Sequence, residues 1–120
     1  NTVQTPKDRI QGKWKLYKYA YDDNNNGNIE NREIYLQQTQ ITTTLFFAAN
    51  GTGEEKTHIN DKTSDIVLPY NWKIVGNDSV WIGYRANDTL IYYILNVSSA
   101  ELTLTRHTKL GLSWYNYLKQ

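Results

Sequence analysis

From residue 41 onward the chain is a train of short alternating segments, each closed by a turn signal. No stretch carries a helical apolar period long enough for a crossover helix, so neighbouring strands must run antiparallel. With an opening strand at 12–21, the segments are 41–49, 52–59, 68–75, 79–85, 89–97, 101–107 and 112–118. Asn50-Gly51, Gly76-Asn77, Asn87-Asp88 and Lys109-Leu110-Gly111 mark the turns. In the first strand, Trp14, Leu16 and Ala20 are expected on one face, with Lys13, Lys15, Tyr17 and Tyr19 on the other. The segment 52–59 is polar and Gly-interrupted, as an edge or lip would be, and 89–97 is apolar on both faces, as a strand covered on both sides would be. Pro6 to Gln11 makes one helical turn, and 30–38 reads as a short helix or an irregular cover.

Eight strands in up-and-down order close into a barrel just wide enough to be filled by side chains or to hold one small ligand. The expected fold is therefore all-β, an eight-stranded antiparallel up-and-down barrel with a short N-terminal helical turn and a long first loop. At 120 residues the chain is one domain, with 1–9 as a tether and 10–120 as the barrel. Lys plus Arg is 13 against 12 Asp plus Glu, which leaves no charge field to draw nucleic acid or a membrane surface. No run is long and apolar enough for a membrane helix. Cysteine is absent, which excludes disulfides, thiol catalysis and Cys-based zinc sites. Methionine is absent even at position 1, so the sequence is expected to start after a processed or deleted segment, where a lipid anchor could lie; composition and the first loop favour an exported domain over a fragment of a cytosolic protein.

The first loop carries a second signal. Residues 22–33 match the twelve-residue calcium pattern D-x-[DN]-x-[DN]-G-x5-E. Asp22, Asn24 and Asn26 would offer side-chain oxygens and Asn28 its carbonyl, with Glu30 acting through water and Glu33 as the bidentate last ligand. Two acidic positions are filled by Asn, so affinity would be weak, on the order of 10⁻⁴ to 10⁻³ M, suiting a structural ion outside the cell. The competing reading is a solvated Asn/Gly-rich loop that matches by composition.

The motif order resembles the lipocalin-like (calycin) domains of secreted and lipoprotein products of Bacteroides-type bacteria. The residues that carry it are Gly12-Lys13-Trp14, the hairpin Leu45-Phe46-Phe47-Ala48-Ala49-Asn50-Gly51-Thr52-Gly53, Tyr70-Asn71-Trp72, and the run from Tyr93 to Leu104. The chain is shorter than eukaryotic lipocalins and lacks their T-D-Y element. The resemblance implies a barrel facing the periplasm or cell exterior, with the late-strand Arg that stacks on the first-strand Trp falling on Arg106.

Trp14, Trp72, Tyr84, Tyr92 and Trp114 are the candidates to line a site for a small apolar or amphipathic ligand. The alternative is that the aromatics simply fill the barrel, leaving a structural or interaction domain for an envelope protein or glycan; a glycan binder would turn Trp81 or Trp114 outward. His58 and His107 have no partner at metal-ligand or triad spacing, and Glu54-Glu55 point to opposite faces of a strand. No nucleophile motif is present. The expectation is a non-enzymatic binding module.

Overall fold

The computed structural model describes residues 5–22, 26–85, 88–108 and 111–120. Pro6–Ile10 forms α1, opened by a capping box in which the Thr5 hydroxyl accepts from the Asp8 amide while the Asp8 carboxylate accepts from the Thr5 amide. Five residues cannot hold a helix alone. Tertiary contacts hold this one, since Ile10 is fully buried and its carbonyl accepts the Trp14 indole N–H at 2.7 Å.

The strands are β1 (Gly12–Tyr21), β2 (Ile34–Leu36), β3 (Ile41–Phe47), β4 (Thr52–Ile59), β5 (Ile66–Val75), β6 (Ser79–Arg85), β7 (Asp88–Val97), β8 (Glu101–Thr108) and β9 (Gly111–Lys119). β3 to β9 follow one another antiparallel, β9 pairs back onto β1, and β1 pairs onto β3, which closes the expected eight-stranded ring. β2 is an extra strand. β3 engages only Gly12 to Lys15 of β1, so the far half of that strand is left with a free edge, which Ile34, Tyr35 and Leu36 take up. The segment 30–38 is thus neither helix nor irregular cover but a 3-10 turn (Asn31–Glu33) followed by this strand. β4 is no edge either, being paired on both sides.

Residues paired across antiparallel strands share a face, so the register sorts inward from outward side chains. One end of the barrel is closed. There Ile10, Trp14, Phe47, Trp72, Val80 and Leu102 form a continuous buried core, with the Phe47 and Trp72 rings edge-to-face at 5.3 Å. The Trp72 indole N–H is shared between the Ala48 and Thr52 carbonyls at 3.0 and 2.9 Å. The Lys119 ammonium lies 4.6 Å over the Trp14 ring and donates to the Gln11 carbonyl. Lys119 therefore does what the resemblance assigned to Arg106. Arg106 pairs with Ser113 close to the β8–β9 turn, at the opposite end.

Among the described residues three register shifts bend the walls. The one between Leu16 and Lys18 reverses the phase of β1: Tyr19 and Tyr21 turn inward beside Tyr115 and Ser113, and Ala20 turns outward beside Trp114 and Ile34. The expected grouping of Ala20 with Trp14 and Leu16 fails for that reason. β7 also departs from expectation, because its outward Ile91, Tyr93 and Leu95 are exposed. β8 instead is buried on both faces, its outward Thr103 receiving the Asn116 amide at 3.1 Å.

Candidate functional site

The inward face of β5 shows where the barrel opens. Trp72 and Tyr70 are 5% and 4% exposed, whereas Leu68 and Ile66 on the same face are 44% and 54% exposed. The interior is sealed below Tyr70 and reachable by solvent above it.

Between the closed end and this mouth the inward side chains Tyr70, Tyr84, Tyr92 and Tyr115 wall a stretch of the interior, the chamber. Gly53 pairs with Tyr70, and a Cβ at Gly53 would run into the Phe46 carbonyl and the Tyr70 ring. Its absence lets Tyr70 lie across β4 and donate to the Phe46 carbonyl at 2.7 Å. Tyr70 meets Tyr84 edge-to-face at 5.6 Å, and Tyr92 meets Tyr115 likewise at 6.2 Å. Tyr115 is hydrogen-bonded to Ser113 and to Tyr21 at the mouth. Tyr117 is buried beneath them.

One carboxyl faces this chamber. Glu55 pairs with Leu45 and Leu68, both inward, while Glu54 pairs with Phe46 and Pro69 on the outer surface. The Tyr84 hydroxyl donates to Glu55. Burial raises the Glu55 pKa above the ordinary carboxylate value, against the opposing effect of that hydrogen bond. Burial also raises the tyrosines, Tyr92 to about 12, and the Glu55 charge adds to the rise at Tyr70, Tyr84, Tyr92 and Tyr117. Arg106 faces the same interior nearer the mouth and pulls Tyr92 and Tyr115 the other way.

Of the residues expected at the ligand site, Tyr84 and Tyr92 line this chamber. Trp14 and Trp72 belong to the closed end, and Trp114 faces outward. Tyr115, also among the aromatics the sequence offers for a cavity, lines it too, whereas sequence reasoning passed over Glu55, Tyr70 and Arg106 as site residues. The available signal was position parity: Gly53, Glu55 and Thr57 share one face of β4.

The first loop packs on the outside of the barrel. Asp22 is buried, its carboxylate accepting the Asn26 amide at 3.2 Å and the Gly27 amide at 2.6 Å. Asn26 donates to Glu30 at 2.7 Å and accepts the Asn28 amide at 3.0 Å, and buried Glu33 accepts the Glu30 amide at 2.8 Å. Asn24 lies outside the described residues. Among the described residues no three His, Cys, Asp or Glu side chains form a metal-binding group.

Two tryptophans look outward. Trp81 has the Lys73 ammonium 5.1 Å over its ring, in a groove of about 280 Å³ edged by Asn71, Gly83 and Thr89. Trp114 lines a cleft of about 360 Å³ with Ile29, Leu95, His107 and Leu112. His107 packs on Tyr93 at 5.9 Å, and His58 meets the Asp65 carboxylate at 2.6 Å on the surface.

Neither the protein-family models nor the curated proteins include a match to this chain. Among solved structures it is similar to the bovine lipocalin allergen Bos d 2, with a TM-score of 0.51 and 12% identity over 95% of this chain and 74% of that one. A deswapped triple mutant of bovine odorant binding protein aligns with a TM-score of 0.49 and 13% identity, over 93% of this chain and 74% of the other. The closed ring, the sealed end and the first of these likenesses define a lipocalin-like fold.

Proposed function

We propose that this barrel is a small-molecule-binding module, taking an amphipathic ligand through the mouth at Ile66 and Leu68 into the tyrosine chamber. The observation that carries the reading is the exposure gradient along the inner face of β5, from sealed at Trp72 to open at Ile66. Aromatic walls with few, placed polar groups are the usual make-up of such sites. The neutral fluorophore N-phenylnaphthylamine tests it: saturable binding is expected, weakened when Leu68→Trp narrows the mouth. Absence of binding, or binding indifferent to Leu68→Trp, rejects the chamber as the site. An address outside the cytoplasm, in the cell envelope or secreted, is part of this proposal; it rests on the sequence resemblance and is checked by fractionating the native host cells.

The first loop supports a second site, for a weakly held calcium ion. Asp22 draws the Asn26 and Gly27 amides back onto itself, which brings the first and fifth positions of the ligand pattern together. Glu33 is turned to the Glu30 amide, so its part as a ligand needs that contact to open. A calcium titration of thermal unfolding, with magnesium as control, should raise the Tm only as the ion passes its Kd, and Asp22→Asn should abolish the rise. A flat curve removes the ion and leaves a self-capped turn.

The outward Trp81 groove favours, as a separate reading, contact with a glycan through ring stacking. Oligosaccharide binding lost in Trp81→Ala supports it; unchanged binding or none rejects it.

A further inference from the structure

The chamber has a chemical sign. Glu55 points into it from β4, and its described hydrogen bond is the one from the Tyr84 hydroxyl. A carboxylate offers about four acceptor positions, so the Tyr84 contact leaves Glu55 capacity for a further donor. Among the described residues no Lys, Arg or His forms an ion pair with it. A charge taken from water without a partner is costly, and a ligand that brings the opposite charge relieves that cost.

The walls fit the same kind of guest. Tyr70, Tyr84, Tyr92 and Tyr117 all feel the Glu55 charge, and its cross-strand partner Leu68 places the carboxyl beside the mouth. The rings meet edge-to-face. Tyrosine ring faces carry negative potential, which attracts a cation. Arg106 forms no ion pair with Glu55 among the described residues, although at Tyr92 its charge opposes and outweighs that of Glu55. β4 and β8 stand four strands apart in the closed ring of eight, on opposite walls, and Arg106 lies toward the mouth.

We infer that the ligand of this barrel is a small organic cation, an amine on an aromatic or short aliphatic body, whose ammonium sits between the Glu55 carboxylate and the tyrosine faces. The inference rests on the chamber being the binding site. Glu55 supplies the charge, Tyr84 fixes the carboxylate through its hydroxyl, and Tyr70, Tyr92 and Tyr115 supply aromatic surface.

Displacement of bound N-phenylnaphthylamine by phenethylamine and by phenethyl alcohol, which share a body and differ in charge, tests it at neutral pH. The wild type should prefer the amine by at least about tenfold, equivalent to about 1.4 kcal/mol. Glu55→Gln, nearly isosteric, should bring the two competitors level. Equal displacement by the two in the wild type overturns the cation assignment and leaves the chamber standing. A preference that survives Glu55→Gln also overturns the assignment. Failure of the dye to bind the wild type overturns the chamber itself. The wild-type comparison needs no variant, so a folding defect in Glu55→Gln cannot mask the answer.

Discussion

Both ends of the barrel are lined with aromatic rings, and the rings are used differently at each. At the closed end Trp14 and Trp72 are buried, and each indole N–H is spent on a backbone carbonyl. At the open end tyrosines carry their hydroxyls into the interior beside Glu55 and Arg106. Trp14 and Trp72 seal their end, while Tyr84, Tyr92 and Tyr115 wall the proposed binding surface, and Tyr70 stands between the two with its hydroxyl on the Phe46 carbonyl.

That contrast can be broken by mutation. Trp14→Ala should cost about 3–5 kcal/mol in urea unfolding, since it empties the seal and frees the Ile10 carbonyl. Gly53→Ala, at the boundary between the two ends, should cost about 1–3 kcal/mol, because the new methyl meets the Phe46 carbonyl and the Tyr70 ring. Leu68→Ser at the mouth should cost less than about 1 kcal/mol in the same assay, as its side chain is already half in water. If Leu68→Ser proved as damaging as Trp14→Ala, the mouth would be core and the contrast would fail.

Two smaller effects sharpen it. Arg106→Gln removes the positive charge nearer the mouth, so phenethylamine should bind a few-fold more tightly in the displacement assay; weaker binding would place the ammonium away from Glu55. The last is a pH effect. In the folded chain Glu55 holds its proton above the ordinary value of 4.5. Between that value and the folded one, the native state binds more protons than the unfolded chain, so wild-type stability falls as pH rises through the window. Tyr70, Tyr84, Tyr92 and Tyr117, which face Glu55, stay neutral there, and Arg106 stays charged. Glu55→Gln should remove this fall, read as the difference between the two pH–Tm curves.

The strand pattern was legible because turns and alternation are local: 52–59 and 79–85 coincide with β4 and β6 residue for residue. β2 was not, because three residues carry no period, and the reason they pair is that β3 leaves half of β1 free. The inward turn of Tyr19 and Tyr21 depends on a bulge that Leu16, Tyr17 and Lys18 do not announce. Of the site, Tyr84 and Tyr92 were legible as aromatics on alternating strands. Glu55 was hidden by its setting, since a polar strand beside a glycine hairpin looks like a lip until register shows which face it turns inward.

The pairing of β9 with β1 has a bearing on how the molecule is made. Lys119 reaches Gln11 across 108 residues of chain, and this seam is the only ring junction whose strands are so far apart in sequence among the described elements. Hairpins from β3 to β9 can form as soon as each is synthesised, whereas the seam must wait for β9 and meet the entropy of closing the whole loop. Until then there is an open, curling sheet and no chamber at all. A guest that occupies the finished barrel therefore latches its last-formed seam, and should slow unzipping more than it speeds assembly.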